Sequence, residues 1–133
     1  MSDKVGMVSI EPDPLAPYFI APARRVGDLL FLSGQAAIDE DGSIVGAKGE
    51  PGDFDAQLEQ TFANIRRVLE AAGSSMANIA KVTIYLTDMA EFPKIIEARK
   101  AHFTPPYPAD TTVQVTGLAL PELLVEIDVI AAV

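Results

Sequence analysis

Ile79-Ala80-Lys81-Val82-Thr83-Ile84-Tyr85-Leu86-Thr87-Asp88-Met89-Ala90-Glu91 changes its period in the middle. Up to Thr87 apolar and polar residues alternate and β-branched side chains dominate, as in a strand with one covered face. Asp88 with Glu91 three residues later reads as a capping box opening a helix. Phe92, Ile95, Ile96 and Phe103 form the apolar stripe of that helix, and Pro105-Pro106-Tyr107-Pro108 stops it. Immediately upstream, Phe54, Leu58, Phe62, Ile65 and Leu69 are spaced as one helical face, with Gln57, Gln60, Asn64, Arg66 and Arg67 elsewhere. Asp53 is placed to cap that helix, and Gly73 stands where a left-handed residue ends one.

Working outward, Asp110 to Thr116 and Leu123 to Ile130 read as two further strands around a Gly117–Pro121 loop. At the other end, Pro12, Pro14, Pro17 and Pro22 impose an extended, turning path after a short strand near Val5–Ile10. Val26 to Gln35 opens with a turn pair and runs into a doubly buried strand, and Asp41-Gly42 marks a tight β-turn. The order β-β-β-α-β-α-β-β describes an α+β fold with two helices on one face of a mixed sheet. Phe31, Leu32, Val82 and Ile84 cannot all face two helices, so the second sheet face calls for subunit association.

The 133 residues, 49% hydrophobic and 22% charged, suit a single domain. A mean hydropathy of +0.23 is high for a small monomer and also points to an oligomer. A net charge of −9 disfavours nucleic acid as a partner. With no Cys and one His, zinc and thiol redox chemistry are not expected. No apolar stretch approaches the roughly 20 residues of a bilayer span and no leader pattern opens the chain, so a cytoplasmic location without membrane contact is expected.

Few residues suggest chemistry. Glu126 and Asp128 share one strand face while Val125, Ile127 and Val129 occupy the other. A carboxylate desolvated in such surroundings is a candidate general base, although an exposed strand face gives the same alternation. Asp110, Thr112, Gln114 and Thr116 form a second polar stripe that could line a wet cleft or face solvent. His102 fits a helix C-terminus better than a catalytic role. Arg24-Arg25 and Lys94, Arg99 and Lys100 read as solvated basic clusters paired with carboxylates. Tyr18, after Pro17, suits either packing or ligand contact.

Several segments together resemble one family. Pro17-Tyr18, Leu30-Phe31-Leu32-Ser33-Gly34-Gln35, Gln60-Thr61 to Asn64 with Leu69-Glu70-Ala71-Ala72-Gly73, Lys81 to Asp88, Pro108-Ala109, and Val125-Glu126-Ile127 to Ile130-Ala131 are similar to the RidA family, also called YjgF or L-PSP. The resemblance covers residues 1–133 as a single RidA-like domain. It implies a chorismate-mutase-like fold and a homotrimer around a central barrel. It also implies small-molecule clefts between subunits and cofactor-free hydrolysis of enamines and imines to keto acids and ammonia.

By the same resemblance Glu126 and Tyr18 are the catalytic candidates, Glu126 placing a water. Ser33, Gly34, Asp110 and Thr112 are the substrate-binding candidates. Three positions depart from the family pattern: Asp110 replaces an Arg that clamps the substrate carboxylate, Thr112 a Cys, and Ile96 an Asn. An Asp beside Glu126 would repel a carboxylate and could share a proton with it. The expected function is therefore a RidA-like deaminase acting on a neutral or cationic metabolite, without cofactor or metal. The alternative is a non-catalytic, small-molecule-binding or regulatory trimer, and a ribonuclease is disfavoured by charge.

Overall fold

A computed structural model describes residues 4–47, 49 and 52–133. Eight principal elements follow one another: β1 (Val5–Val8), β2 (Ala23–Val26), β3 (Leu29–Leu32), α1 (Asp53–Ala71), β4 (Ile79–Leu86), α2 (Phe92–His102), β5 (Ala109–Gln114) and β6 (Val125–Ala132). The strands form one sheet in the order β1-β2-β3-β6-β4-β5. β4 and β5 run parallel, while the other neighbouring pairs are antiparallel. This is the α+β fold expected, a mixed sheet with two helices.

Alternation along the central strands creates the core. Val82, Ile84 and Leu86 of β4 and Val125, Ile127 and Val129 of β6 are buried with Phe62, Ile65 and Leu69 of α1 and Ile95 of α2. The period-two pattern thus sends every second residue to the helical layer. α1 ends as anticipated: Gly73 adopts φ 80°, donates to Glu70 O, and Ser74 N donates to Leu69 O, closing a Schellman motif. Its start differs, because Gly52 is the N-cap and Asp53 lies in the first turn, accepting from Gly49 N at 2.6 Å. Asp88 caps as expected, its side chain accepting from Ala90 N, but the cap serves a 3-10 turn at Met89–Glu91 that leads into α2.

The N-terminal half departs from the pattern expected of it. The turn pair Gly27-Asp28 leads into β3 as expected, but it closes a hairpin in which Val26 pairs with Leu29, with Gly27 at φ 58°, and β3 buries only Leu30 and Leu32 instead of both faces. β2 therefore lies in the segment whose prolines suggest loop. The Asp41-Gly42 turn is present, with Asp39 Oδ1 accepting from Asp41 N and Ser43 N. Its flanks make only an isolated Ile38–Ile44 bridge, so they add no strand to the sheet.

Two helical faces also differ from expectation. Gln57 and Thr61 are wholly buried although neither belongs to the apolar stripe of α1, and Ile96 is 43% exposed although its spacing places it in the stripe of α2. His102, at the end of α2, stacks on Phe62 at 4.1 Å and approaches Glu59 Oε1 with Nε2 at 3.2 Å. It fastens the two helices together.

The sheet face away from the helices carries Met7, Val26, Leu29, Phe31 and Val113, all exposed large apolar residues. Register aligns Met7 with Arg24, Arg24 with Phe31, and Phe31 with Ile130. No described residue of the chain itself covers this row. Among the described residues no helix is long and apolar enough to cross a membrane.

Candidate functional site

Glu126 and Asp128 emerge on that open face because β6 buries Val125, Ile127 and Val129 on the other. What singles out Glu126 is the chain that crosses it. β3 and β6 pair as far as Phe31–Ile130, and pairing resumes at Gln35–Ile127. Four steps on one strand match three on the other, so an extra residue bulges out around Ser33-Gly34. Gln35 N donates to Ile127 O at 2.8 Å and Ile127 N to Gln35 O at 2.9 Å, fixing the far side of the bulge.

The bulge lays Gly34 against the Glu126 carboxyl group. A Cβ on Gly34 would stand 2.5 Å from Glu126 Oε2 and 2.9 Å from its Cδ, closer than atoms can pack. Ser33 does not line the cavity; its hydroxyl donates to Ala21 O at 2.6 Å and its N–H to Pro22 O at 3.0 Å. These bonds anchor the loop that carries Tyr18.

That loop is shaped by a 3-10 turn at Ala16–Tyr18, terminated by Phe19 in the left-handed region at φ 61°. Such a conformation is uncommon for an aromatic residue and costs on the order of 1 kcal/mol. Phe19 is 98% exposed, so no packing of its side chain within the chain offsets the strain. Arg67 of α1 donates to Pro12 O and pairs with Glu40 at 2.9 Å, tying both flanking loops to the helix.

A cavity of about 100 Å³ opens beside Glu126. Pro14, Leu15, Tyr18 and Ile20 form one wall, and Gly34, Gln35, Ala36 and Ile38 a second. Ala119, Leu120 and Leu123 close it, with Asn64 and Glu126 supplying polar atoms. Asn64 is committed to the walls: Nδ2 donates to Ala36 O and Ile38 O, each at 2.8 Å, and Oδ1 accepts from Gln60. Gln35 Nε2 likewise donates to Ser33 O. Asn64 and the 119–123 loop carry no signal of these roles in the sequence, since the roles arise from contacts distant along the chain.

Among the described residues no hydrogen bond or ion pair reaches the Glu126 carboxylate. Burial, and secondarily the charge of Asp128, raises its pKa above the ordinary glutamate value. Asp128 accepts a hydrogen bond from Tyr85 at 3.0 Å, which with burial raises the Tyr85 pKa as well. The two neighbouring carboxylates thus differ: Asp128 is satisfied and Glu126 is not.

Asp110 and Thr112 are not beside Glu126 in the chain. Asp110 pairs with Val82 and Thr112 with Ile84, whereas Glu126 pairs with Tyr85, so the two sets point to opposite faces of the sheet. On the helical side, Arg99 Nε and Nη2 donate to the two Asp110 oxygens at 3.1 and 2.7 Å. Arg99 Nη2 also reaches Thr112 Oγ1 at 2.9 Å, and its guanidinium lies 5.4 Å from the Phe92 ring centre. Within one chain Asp110 therefore neither sits next to Glu126 nor shares its proton. Arg99, expected to be solvated and paired with a carboxylate, has that partner in Asp110, bidentate, but is largely shielded, its side chain 28% exposed. Among the described residues no group of three or more His, Asp or Glu side chains is arranged to hold a metal ion.

Comparison with known proteins agrees with this architecture. The family profile described as Endoribonuclease L-PSP matches residues 9–133. A RutC family protein of Pyrococcus horikoshii is 40% identical over 121 residues, 90% of each chain. The 3-aminoacrylate deaminase RutC of Acinetobacter baylyi is 34% identical, covering 92% of this chain and 91% of its own. The crystal structure of a Rid-family protein from Yersinia pestis superposes with a TM-score of 0.86 at 30% identity, over 97% of this chain and 99% of that one. With a family match over nearly its whole length and a shared overall fold, this chain belongs to the RidA (YjgF, L-PSP) family.

Proposed function

We propose that the protein is a RidA-like deaminase that hydrolyses small reactive enamines or imines, or a related neutral or cationic metabolite. The unpartnered, partly buried carboxylate of Glu126 at the edge of an apolar cavity carries this reading. Relatives named 3-aminoacrylate deaminase and 2-iminobutanoate/2-iminopropanoate deaminase, the latter 32% identical over 82% of this chain, support the reaction class.

In the proposed reaction Glu126 accepts a proton from water as the water oxygen bonds to the imine carbon and the C=N π pair moves to nitrogen. The nitrogen takes up a proton from solvent, and the resulting carbinolamine gives its hydroxyl proton back to solvent as the C–N bond breaks. Glu126 returns its proton to the departing nitrogen, which leaves as ammonia with a carbonyl product behind. An enamine first tautomerises to the imine. A base with a pKa raised toward neutrality is suited to both transfers. Tyr18 stands across the cavity from Glu126 as the second catalytic group, Gly34 lets substrate and carboxylate approach, and Ser33 holds the wall.

We further infer a cytoplasmic homotrimer in which the exposed apolar sheet face is covered and the cavity opens at a subunit interface. In that assembly Asp110 and Thr112 reach a cleft only as a neighbour's contribution, and they arrive already paired with Arg99. That pairing is also the observation favouring the alternative, a non-catalytic small-molecule-binding or regulatory trimer: no guanidinium stands where the family resemblance puts the substrate clamp.

Ammonia release from enzymatically generated 2-aminoacrylate and imines separates the two. Turnover by the wild type that falls at least 100-fold in Glu126→Gln supports the hydrolase; wild type no faster than buffer rejects it.

A further inference from the structure

We propose that Arg67 is a positioning residue of the site: from α1 it holds the two loops that form opposing walls of the cavity, and so sets how Tyr18 stands toward Glu126. This role rests on the cavity being the working site of the proposed function. Its contacts all lie within one chain, so a neighbouring subunit's share of the cleft does not enter it.

α1 carries a second stripe beside its apolar one. Gln60, Asn64 and Arg67 are spaced four and three, which places them on one helical face. Gln60 Nε2 donates to Asn64 Oδ1 at 2.8 Å, and Asn64 Nδ2 holds Ala36 O and Ile38 O. Arg67, a turn further on, reaches both loops. Its Nε lies 2.9 Å from Glu40 Oε1, and its Nη2 donates to Pro12 O. A guanidinium fork can serve two such acceptors at once, where an ammonium offers a single point of charge. The Arg67 side chain is 24% exposed, so the tie is largely shielded although Glu40 itself is open.

Each grip continues to the cavity through local hydrogen bonds. Beyond Pro12, Asp13 Oδ1 accepts from Leu15 N at 3.0 Å and Asp13 O from Ala16 N at 3.2 Å. Leu15 O then accepts from Tyr18 N at 2.9 Å and Ala16 O from Phe19 N at 3.1 Å. Successive turns thus carry the anchorage at Pro12 to the phenol. The far end of the same loop is held at Ala21 O and Pro22 O by Ser33, so Arg67 supplies the near end. On the other wall Asp39, next to Glu40, closes its turn by accepting from Asp41 N and Ser43 N, and Ile38 enters the cavity lining. Ion pairs near the surface add little to global stability, so loss of Arg67 changes the geometry of the walls and leaves the core intact.

Arg67→Met, Arg67→Lys and Glu40→Ala test the role through ammonia release from enzymatically generated 2-aminoacrylate, thermal melts and amide hydrogen exchange. Arg67→Met keeps the aliphatic stem and loses every donor. Its kcat should fall about tenfold or more, with KM within about threefold and a melt within a few degrees of the wild type. Exchange should quicken together at Leu15–Phe19 and at Asp41–Ser43, while the β4 amides stay protected. Arg67→Lys reaches one acceptor at a time and should recover part of the rate. Glu40→Ala should loosen Asp41–Ser43 and leave Leu15–Phe19 held through Pro12. Unaltered kinetics in Arg67→Met overturns the role, as does a rate loss accompanied by a lowered melt and faster exchange throughout the core. A wild type that turns over no 2-aminoacrylate removes the hydrolase and leaves exchange to decide. Loosening of both loops in Arg67→Met, reversed in part by Arg67→Lys, then upholds the tie, and unchanged exchange overturns it.

Discussion

The Glu126 carboxyl group fills the space that a side chain at Gly34 would need: its Oε2 lies 2.5 Å from where a Cβ would be. Gly34 does not have positive φ, so the requirement for glycine comes from this approach and not from backbone freedom. Gly34→Ala is expected to fold, because the obstructing atoms belong to a movable side chain, and to melt within a few degrees of the wild type. Displacing the carboxylate by about 1 Å should nevertheless cost about 100-fold in kcat/KM. Thermal melts and steady-state kinetics on the same preparation check both halves; unaltered kinetics would detach Glu126 from the chemistry.

Glu126 also predicts how stability varies with pH. Its folded pKa is raised by burial and then by Asp128, so the folded chain holds this proton more tightly than the unfolded chain. The folded state is therefore favoured by protonation, and stability falls as pH rises from the ordinary glutamate range through the raised value. Glu126→Gln removes that penalty. The variant should be more stable than the wild type at pH 7–8, and the difference should vanish near pH 4. The wild-type rate should rise with pH over the same window, with Asp128 and Tyr85 as the titratable neighbours on β6 and β4. Melting curves across pH 4–8 that stay parallel would contradict the shift.

The fold is legible where hydrophobic period is strong and local. α1, β4 and the terminal strand follow from spacing alone, because each buries a regular face, whereas α2 buries only Ile95 and Ala98 and is read from the Asp88 cap before it and the prolines after it. β2 is hidden by its composition: Arg24, Arg25 and Val26 are exposed, so the strand has almost no buried pattern to read. The face of Asp110 is ambiguous, since a polar stripe looks the same whether it meets water or a guanidinium from α2. Glu126 is legible as one of two alternating carboxylates, but its pairing with Gly34 depends on a bulge that no residue spacing announces. Gln57 looks like an ordinary helix-surface amide, and only the 46 and 122–124 loops, far along the chain, make it a core residue.

The Arg99–Asp110 pair is half-shielded, with side-chain exposures of 28% and 17%. Asp110→Ala leaves the guanidinium without its bidentate partner and should destabilise by about 1–3 kcal/mol. Asp110→Arg brings two cations together and should cost more. The exchange Arg99→Asp with Asp110→Arg should recover much of the loss, giving a coupling of about 1–3 kcal/mol in a double-mutant cycle from denaturant unfolding. Additive single effects would show that the pair contributes no mutual stabilisation.

Gln57 is wholly buried and joins three stretches of chain: Nε2 donates to Gly46 O at 2.7 Å and Glu122 O at 2.9 Å, while Oε1 accepts from Leu124 N at 2.8 Å. Gln57→Leu keeps the volume but strands those backbone groups, an expected loss of about 3 kcal/mol. The melting temperature should fall by on the order of 10 °C. Because the 122–124 stretch leads into β6 and Leu123 walls the cavity, ligand binding should weaken alongside. A melt unchanged to within a degree would mean the loops find other partners.

The open sheet face gives the last prediction. Phe31 is 42% exposed at the centre of the apolar row, opposite Ile130 and Arg24, and a row of neighbouring apolar residues marks an association surface where a lone one does not. If three copies cover these faces, light scattering should report three times the 14.2 kDa chain mass. Phe31→Glu places a charge where another subunit would desolvate it, and should shift the particle to the monomer mass at micromolar concentration. Since Phe31 is already half open in the chain, the variant should keep its far-ultraviolet circular dichroism. Loss of activity together with the loss of mass would locate the working cleft between subunits; a monomeric variant with full activity would place it within one chain.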